Sequence, residues 1–432
     1  MPSRDVKKPG SGNSRAQLLG AAALGGVVSV LAARNFCTGE KRIRHRITAD
    51  YTVEDDVFKR TMGQLLGPPM LENNEVTILQ NGDEIFPAML AGIRSAQRTI
   101  TMENFLLKEG KVANAFVDAL IERADAGVKV HLLQDAMGCS SVYGSVMNRL
   151  RRSRVDLEVF RFFSPTQMNF RTHRKLLVID GGIAFIGGVG ISDDWRGDGC
   201  TRGCWRDTHY RIRGTAAAQA QQAFIDNWMQ TRGELLHGAD YFPKLEPCGE
   251  RLCQVFKSSA GEGSDNARLM LLLSIAAARK RVCIANAYFI PGTLCRRTMV
   301  EACGRGVKLE IITPGPDFDS QRVRMAGKSR WRPLLEAGAR IYEYQPARYH
   351  CKYIIIDDLW ASVGSANFDN RSLCLNEEAN LNVMDRTFCA EHLRIFEEDK
   401  ARSHEVTLDE WEKRPLREKV VGAVAGLLRS QM

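Results

Sequence analysis

The string HRKLLVID at 173–180 returns as HCKYIIID at 350–357, and this doubled His-x-Lys-x4-Asp pattern restricts the fold more than any other feature of the chain. In extended backbone alternate side chains share a face. His173 and Lys175 therefore point one way and Asp180 the other, and His350, Lys352 and Asp357 are arranged alike. Two polar groups on a buried strand face are unfavourable unless that face lines a polar site. For a single copy, a histidine bonded to a backbone carbonyl beside a lysine reaching for water explains the pattern equally well. Two copies in matching places require a fold that sets two halves of the chain face to face.

The flanking sequence repeats too. GIRSAQRTITMENF (92–105) parallels SIAAARKRVCIANAYF (274–289), and RADAGVKVHLL (123–133) parallels ACGRGVKLEII (302–312). Each reads as a helix closed by a small or basic residue and followed by a short apolar strand. The turns GGVG (187–190) and GSAN (364–367) follow the two motifs. Strands alternating with helices predict an α/β fold with largely parallel pairing. The expected boundaries are a first half at 75–245 and a second at 250–400, preceded by a linker at 46–74 and followed by a tail at 401–432. With 44% hydrophobic residues among 432, such a chain buries a substantial core.

The N-terminal region, 1–45, is basic and contains AQLLGAAALGGVVSVLAA at 16–33 without a charge. At about 1.5 Å per residue this is a marginal span of a hydrocarbon core. It reads as a weak membrane anchor. A signal peptide cut near Ala33 and a targeting or disordered extension are the competing readings. In the tail, Val420, Val421, Val424, Leu427 and Leu428 form one helical stripe, which fits either packing on the protein body or membrane contact. The net charge of +9 suits an anionic partner, a nucleic acid or an acidic lipid surface. No ladder of aromatic and basic residues favours nucleic acid. The twelve cysteines include one near-metal spacing, Cys200 and Cys204, with no second Cys/His pair beside it, so they read as small core residues.

The two motifs, each followed by a glycine-rich turn, resemble the signature of the phospholipase D superfamily. NFRTHRKLLVIDGGIAFIGG, CWRDTHYRIRG, GSANFDNRSLCLNEEANL and the closing WEKRPLREKVVGAVAGLL are most similar to the bacterial cardiolipin synthases. The resemblance spans roughly 75–400. It implies a duplicated phospholipase D-like α/β fold, two similar mixed-sheet halves flanked by helices, with one active site at their interface. It implies catalytic roles for the motif residues His173, Lys175, Asp180, His350, Lys352 and Asp357. His173 would be the nucleophile that forms a phosphohistidine and His350 the acid/base, although the near-symmetry leaves that order open. Asp207 would support the first histidine and Glu378 the second. Gly187, Gly188, Ser365 and Asn367 would bind phosphate, mainly from the second half, since Gly190 stands where the first half would otherwise carry the counterpart of Asn367.

Two lysines facing a phosphodiester can stabilise its oxygens without a metal, so neither metal nor cofactor is expected. The implied reaction is phosphatidyl transfer, with phosphatidylglycerol as donor and acceptor and glycerol released. The implied partners are the anionic phospholipids phosphatidylglycerol and cardiolipin at a membrane surface. The implied location is a bacterial inner membrane, with the catalytic body on the cytoplasmic side. A phospholipid-hydrolysing phosphodiesterase and a nuclease of the same superfamily are the alternatives. A scaffold that has lost catalysis is disfavoured by intact His and Lys at all four positions.

Overall fold

A computed structural model describes residues 43 and 45–427 apart from 140–143, 161–168, 260–262 and 264, with the side chains of 423–427 excepted, plus a few scattered positions before residue 31. Most of the apolar segment 16–33 lies outside the described residues, as do the side chains of Val424, Leu427 and Leu428. Among the described residues no helix is long and apolar enough to cross a membrane.

Seven strands build each half in the same order. In the first half, from edge to centre, these are Asp156–Phe160, Lys129–Asp135, Thr99–Asn104, Leu176–Ile179, Ile183–Gly187, Thr208–Gly214 and Leu71–Gln80. The second half repeats the order with Arg340–Tyr344, Lys308–Pro314, Arg281–Asn286, Lys352–Ile356, Trp360–Gly364, Glu378–Met384 and Arg251–Ser258. In each half the outer three strands are parallel and the rest antiparallel. The halves join where Leu71–Gln80 pairs antiparallel with Arg251–Ser258, so a single sheet runs through the molecule. The motif strands Leu176–Ile179 and Lys352–Ile356 are buried throughout, which is why they read as unbroken apolar runs. One core cluster includes Val178 and Ile212 of the first half together with Ala285 and Ile355 of the second, so the duplication shares its interior.

Two expected boundaries are corrected. Residues 46–74 are not a linker: Asp56–Leu65 is a helix whose Phe58 and Met62 are fully buried in the core of the second half, Phe58 lying edge-on to Trp360 at 4.9 Å. Nor is all of 401–432 a tail. Ser403–Val406 adds an antiparallel strand to the edge of the second half, and the short helix Leu408–Lys413 buries Trp411. The C-terminal helix Leu416–Leu427 lies over Gln321–Lys328, with Gly422 so close that a Cβ there would meet Ser329 Cβ at 2.9 Å. Leu416 and Val420 stay exposed.

Candidate active site

Each motif enters the site through a pair of backbone bonds to the opposite half. The His173 N–H donates to Glu377 O at 2.8 Å and the Glu377 N–H to Arg171 O at 2.7 Å. In the second copy the His350 N–H donates to Arg206 O at 2.8 Å and the Arg348 N–H to Cys204 O at 2.9 Å. These crossings place the residue after each acceptor, Glu378 or Asp207, against the histidine of the other half. Glu378 lies 3.0 Å from His173 Nδ1, and Asp207 Oδ2 lies 2.7 Å from His350 Nδ1. The expected pairing is therefore reversed: Glu378 serves the first histidine and Asp207 the second. Chain order suggests partners within a half, but the strand exchange decides otherwise. Buried arginines hold the same carboxylate residues from behind, Arg174 Nε donating to Glu378 O at 3.3 Å and Arg206 Nη1 to Asp207 O at 3.1 Å.

His173, Lys175, Gly190, His350 and Asn367 line one cavity of about 400 Å³ between the halves, together with the rings of Trp195, Trp205 and Tyr288. Lys352 stands in the wall beside His350, its ammonium donating to His350 O at 2.6 Å, as Lys175 does to His173 O at 2.7 Å. Glu378, Asp207 and Ser365 are buried directly behind the histidines.

Ser365 is not placed to bind phosphate. Its hydroxyl donates to Glu378 Oε2 at 2.5 Å and accepts from the Ala379 N–H at 3.0 Å, so it fixes the carboxylate that fixes His173. In the first half the same service comes from Trp195, whose Nε1–H donates to Asp207 Oδ2 at 3.0 Å. Gly187 and Gly188 are not phosphate ligands either. A Cβ on Gly188 would lie 2.5 Å from Asp207 Oδ1, and one on Gly187 would lie 2.5 Å from His209 Nδ1. Both glycines make room for groups behind the cavity.

The motif aspartates are likewise removed from the cavity. Asp180 accepts backbone N–H groups of Gln97, Arg98 and Thr99 at 2.7–2.9 Å. Asp357 does the same for Arg279, Lys280 and Arg281 at 2.7–2.9 Å. Both sit at positive φ in the turn after the motif strand, pinning it to the next strand of the sheet. A catalytic role for Asp180 and Asp357 is thus replaced by an architectural one. Asp357→Ala should destabilise the fold by about 2–4 kcal/mol, because a buried carboxylate's three hydrogen bonds are lost together, while the folded fraction keeps its kcat within about threefold. Denaturant titration with single-turnover kinetics tests this, and a large kcat loss at unchanged stability would contradict it.

Electrostatics prepare the site for an anion. Burial is the largest influence on all four basic groups: it pushes His173 down, His350 to about 3, Lys175 to about 7, and Lys352 down. Burial alone would raise Asp207 and Glu378, yet the histidine and lysine facing each hold both below the usual carboxylate range. In the free enzyme each imidazole is therefore neutral, with Nδ1–H directed to an ionised carboxylate and the Nε2 lone pair left available. Above pH about 7 Lys175 sheds its proton in the free enzyme, so binding a phosphate-like anion at pH 8 should take up protons and kcat/KM should fall on the alkaline side. Calorimetry of vanadate binding in buffers of different ionisation enthalpy measures this uptake, and none at pH 8 would contradict the assignment.

Sequence reasoning missed Trp195, Trp205, Tyr288 and Asp319, of which Trp195, Trp205 and Asp319 lie outside the repeated stretches and Tyr288 lies where the two copies differ. Only the C-W-R-D run around Trp205 carried a signal. Among the described residues no group of three or more His, Cys, Asp or Glu side chains is placed to hold a metal ion.

Two half-sites closed by crossed carboxylates, each around a His-x-Lys motif, define a phospholipase D-like enzyme. A family model described as "Cardiolipin synthase, PLD-like domain" matches residues 89–194 and 271–400. Cardiolipin synthase A of Pseudomonas fluorescens is 33% identical over 357 residues, covering 81% of this chain and 74% of its own. Cardiolipin synthase 2 of Bacillus anthracis is 33% identical over 397 residues, covering 90% and 77%. The chain belongs to the cardiolipin synthase family. Its fold is shared by a phosphatidylserine synthase of Haemophilus influenzae Rd KW20, with a TM-score of 0.63 at 14% identity over 87% of this chain and 98% of that one.

Proposed function

We propose that this enzyme joins two phosphatidylglycerol molecules into cardiolipin and releases glycerol, through a phosphohistidine on His173. The observation that carries the reading is the opening of two neutral histidines, each backed by a buried carboxylate of the other half, onto one cavity flanked by lysines. His173 Nε2 attacks phosphorus, the P–O bond to the glycerol headgroup breaks, and His350, protonated on binding the anion, delivers that proton to the leaving oxygen. Lys175 and Lys352 hold the charge that grows on the equatorial oxygens, and Asn367 lines the same pocket. In the second step His350 takes the proton of an acceptor hydroxyl, whose oxygen forms the new bond to phosphorus as the His173 bond breaks.

Membrane attachment belongs to the same proposal. The apolar segment 16–33, the run KRIRHR at 41–46 and the net charge of +9 suit an anionic bilayer, where each basic residue near the surface adds about 1 kcal/mol. Exposed Leu416 and Val420 lie on the helix that covers Gln321–Lys328, whose Val323 lines the cavity. We place the enzyme at a bacterial inner membrane with its catalytic body on the cytoplasmic side. Phosphatidylglycerol vesicles with excess chelator should yield cardiolipin and free glycerol. Phosphatidic acid as the dominant product would make the enzyme a hydrolase, and cutting of single-stranded DNA without lipid turnover would make it a nuclease.

A further inference from the structure

The two halves match in backbone but not in the walls they give the cavity. At the end of the strand beside each motif strand, Asn104 and Asn286 occupy equivalent places, each accepting a backbone N–H two residues on, from Leu106 and from Tyr288. Leu106 and Tyr288 are therefore counterparts, and both line the cavity. At this place the first half supplies Phe105 and Leu106, and Phe105 lies against His173 at 5.3 Å between ring centroids. At the matching place the second half supplies a polar pair. The Tyr288 hydroxyl donates to Asp319 Oδ2 at 2.8 Å, and both residues face the cavity. They belong to the His350 side: the Tyr288 ring lies 6.5 Å from His350 and 5.1 Å from Phe318, the residue before Asp319.

A second observation points to a ligand in the same cavity. Ser372 Oγ and Asn376 Oδ1, on residues 1% and 5% exposed, line the same cavity and have no partner among the described atoms. Buried polar atoms left unpaired are unfavourable, and a carboxylate only accepts hydrogen bonds. A phosphodiester oxygen has no proton to give to Asp319, but a hydroxyl has. We infer that Asp319 and Tyr288 form a subsite for the hydroxyls of a small polyol headgroup, placed on the acid/base side of the phosphorus. This rests on the transferase reading above and deepens it. The leaving glycerol and the glycerol headgroup of the acceptor occupy the same place in turn, because His350 gives a proton to the first and takes one from the second. Asp319 is then specificity-determining: it selects the alcohol whose oxygen replaces His173 Nε2 on phosphorus.

The test is a competition for the phosphoenzyme, read as a product ratio and so independent of total activity. Full-length enzyme with phosphatidylglycerol vesicles receives equimolar deuterated glycerol, 1-propanol and ethanolamine, and lipid products are measured by mass spectrometry. The wild type should favour deuterated glycerol over propanol by roughly tenfold or more, since a site built to bond a hydroxyl rejects an alcohol lacking it. In Asp319→Asn, and independently in Tyr288→Phe, that ratio should fall to about threefold or less, with propanol products persisting. An unchanged ratio in both variants overturns the subsite while leaving the transferase reading intact. Preference of the wild type for ethanolamine overturns the polyol assignment. No transfer to any alcohol sinks the transferase reading, and the subsite with it.

Discussion

Alanine at His173 or at His350 is expected to lower cardiolipin formation by at least about 10³-fold, since each change removes a whole nucleophilic or acid/base step. The double variant should be scarcely slower than either single one. The two histidines serve one cycle in one cavity, and groups that act as a unit do not give additive losses. Both single variants should still fold cooperatively, because both rings line the cavity, His350 also lying edge-on to Trp195 and Trp205. Activity within tenfold of wild type for either variant, or multiplied losses in the double variant, would show two independent half-sites.

The second large effect concerns the crossed carboxylates. Glu378→Gln and Asp207→Asn should each reduce kcat by about 10³–10⁴-fold, the scale set by losing the carboxylate that fixes an imidazole tautomer and stabilises its charge. Glu378 meets His173 with both oxygens at 3.0 Å, and Asp207 meets His350 at 2.7 Å. A neutral amide can bond the ring in either tautomer and offers no charge to an imidazolium. Because each acid belongs to the opposite half, the change in one half should be seen at the histidine of the other. In Glu378→Gln the nitrogen-15 resonances of His173 should lose the pure Nδ1–H pattern while those of His350 keep it. The reverse assignment would restore the pairing within each half.

Much of this site was legible in the sequence because it is written twice. The matched spacing of His173 with Lys175 and His350 with Lys352 could be explained only by halves that meet, and the structure puts both histidines on one cavity. The strand order follows the same repeat. The pairing of acids with histidines was not legible, since it depends on the crossing of 171–173 with 377 and of 204–206 with 348–350, contacts between residues far apart in the chain. Alternation along the strand already turned Asp180 and Asp357 away from the cavity. Membership of the motif nevertheless suggested chemistry for two residues that in fact cap backbone N–H groups. Ser365 and Gly188 misled for a related reason: a glycine-serine turn after a motif fits phosphate binding, whereas here one residue orients Glu378 and the other makes space for Asp207. Tyr288 and Asp319 lie where the halves differ, so the repeat that revealed the histidines gave no signal for the wall beside them.

The account turns on a single covalent intermediate formed in a site that both halves complete. Mixing the enzyme with phosphate-labelled phosphatidylglycerol, quenching rapidly in alkali to preserve phosphohistidine, and mapping the peptides measures it directly. The expected result is at most one phosphatidyl group per chain, on the peptide carrying His173, with none on the peptide carrying His350 and none in His173→Ala. Label on both motif histidines of the wild-type enzyme, or two groups per chain, would contradict it.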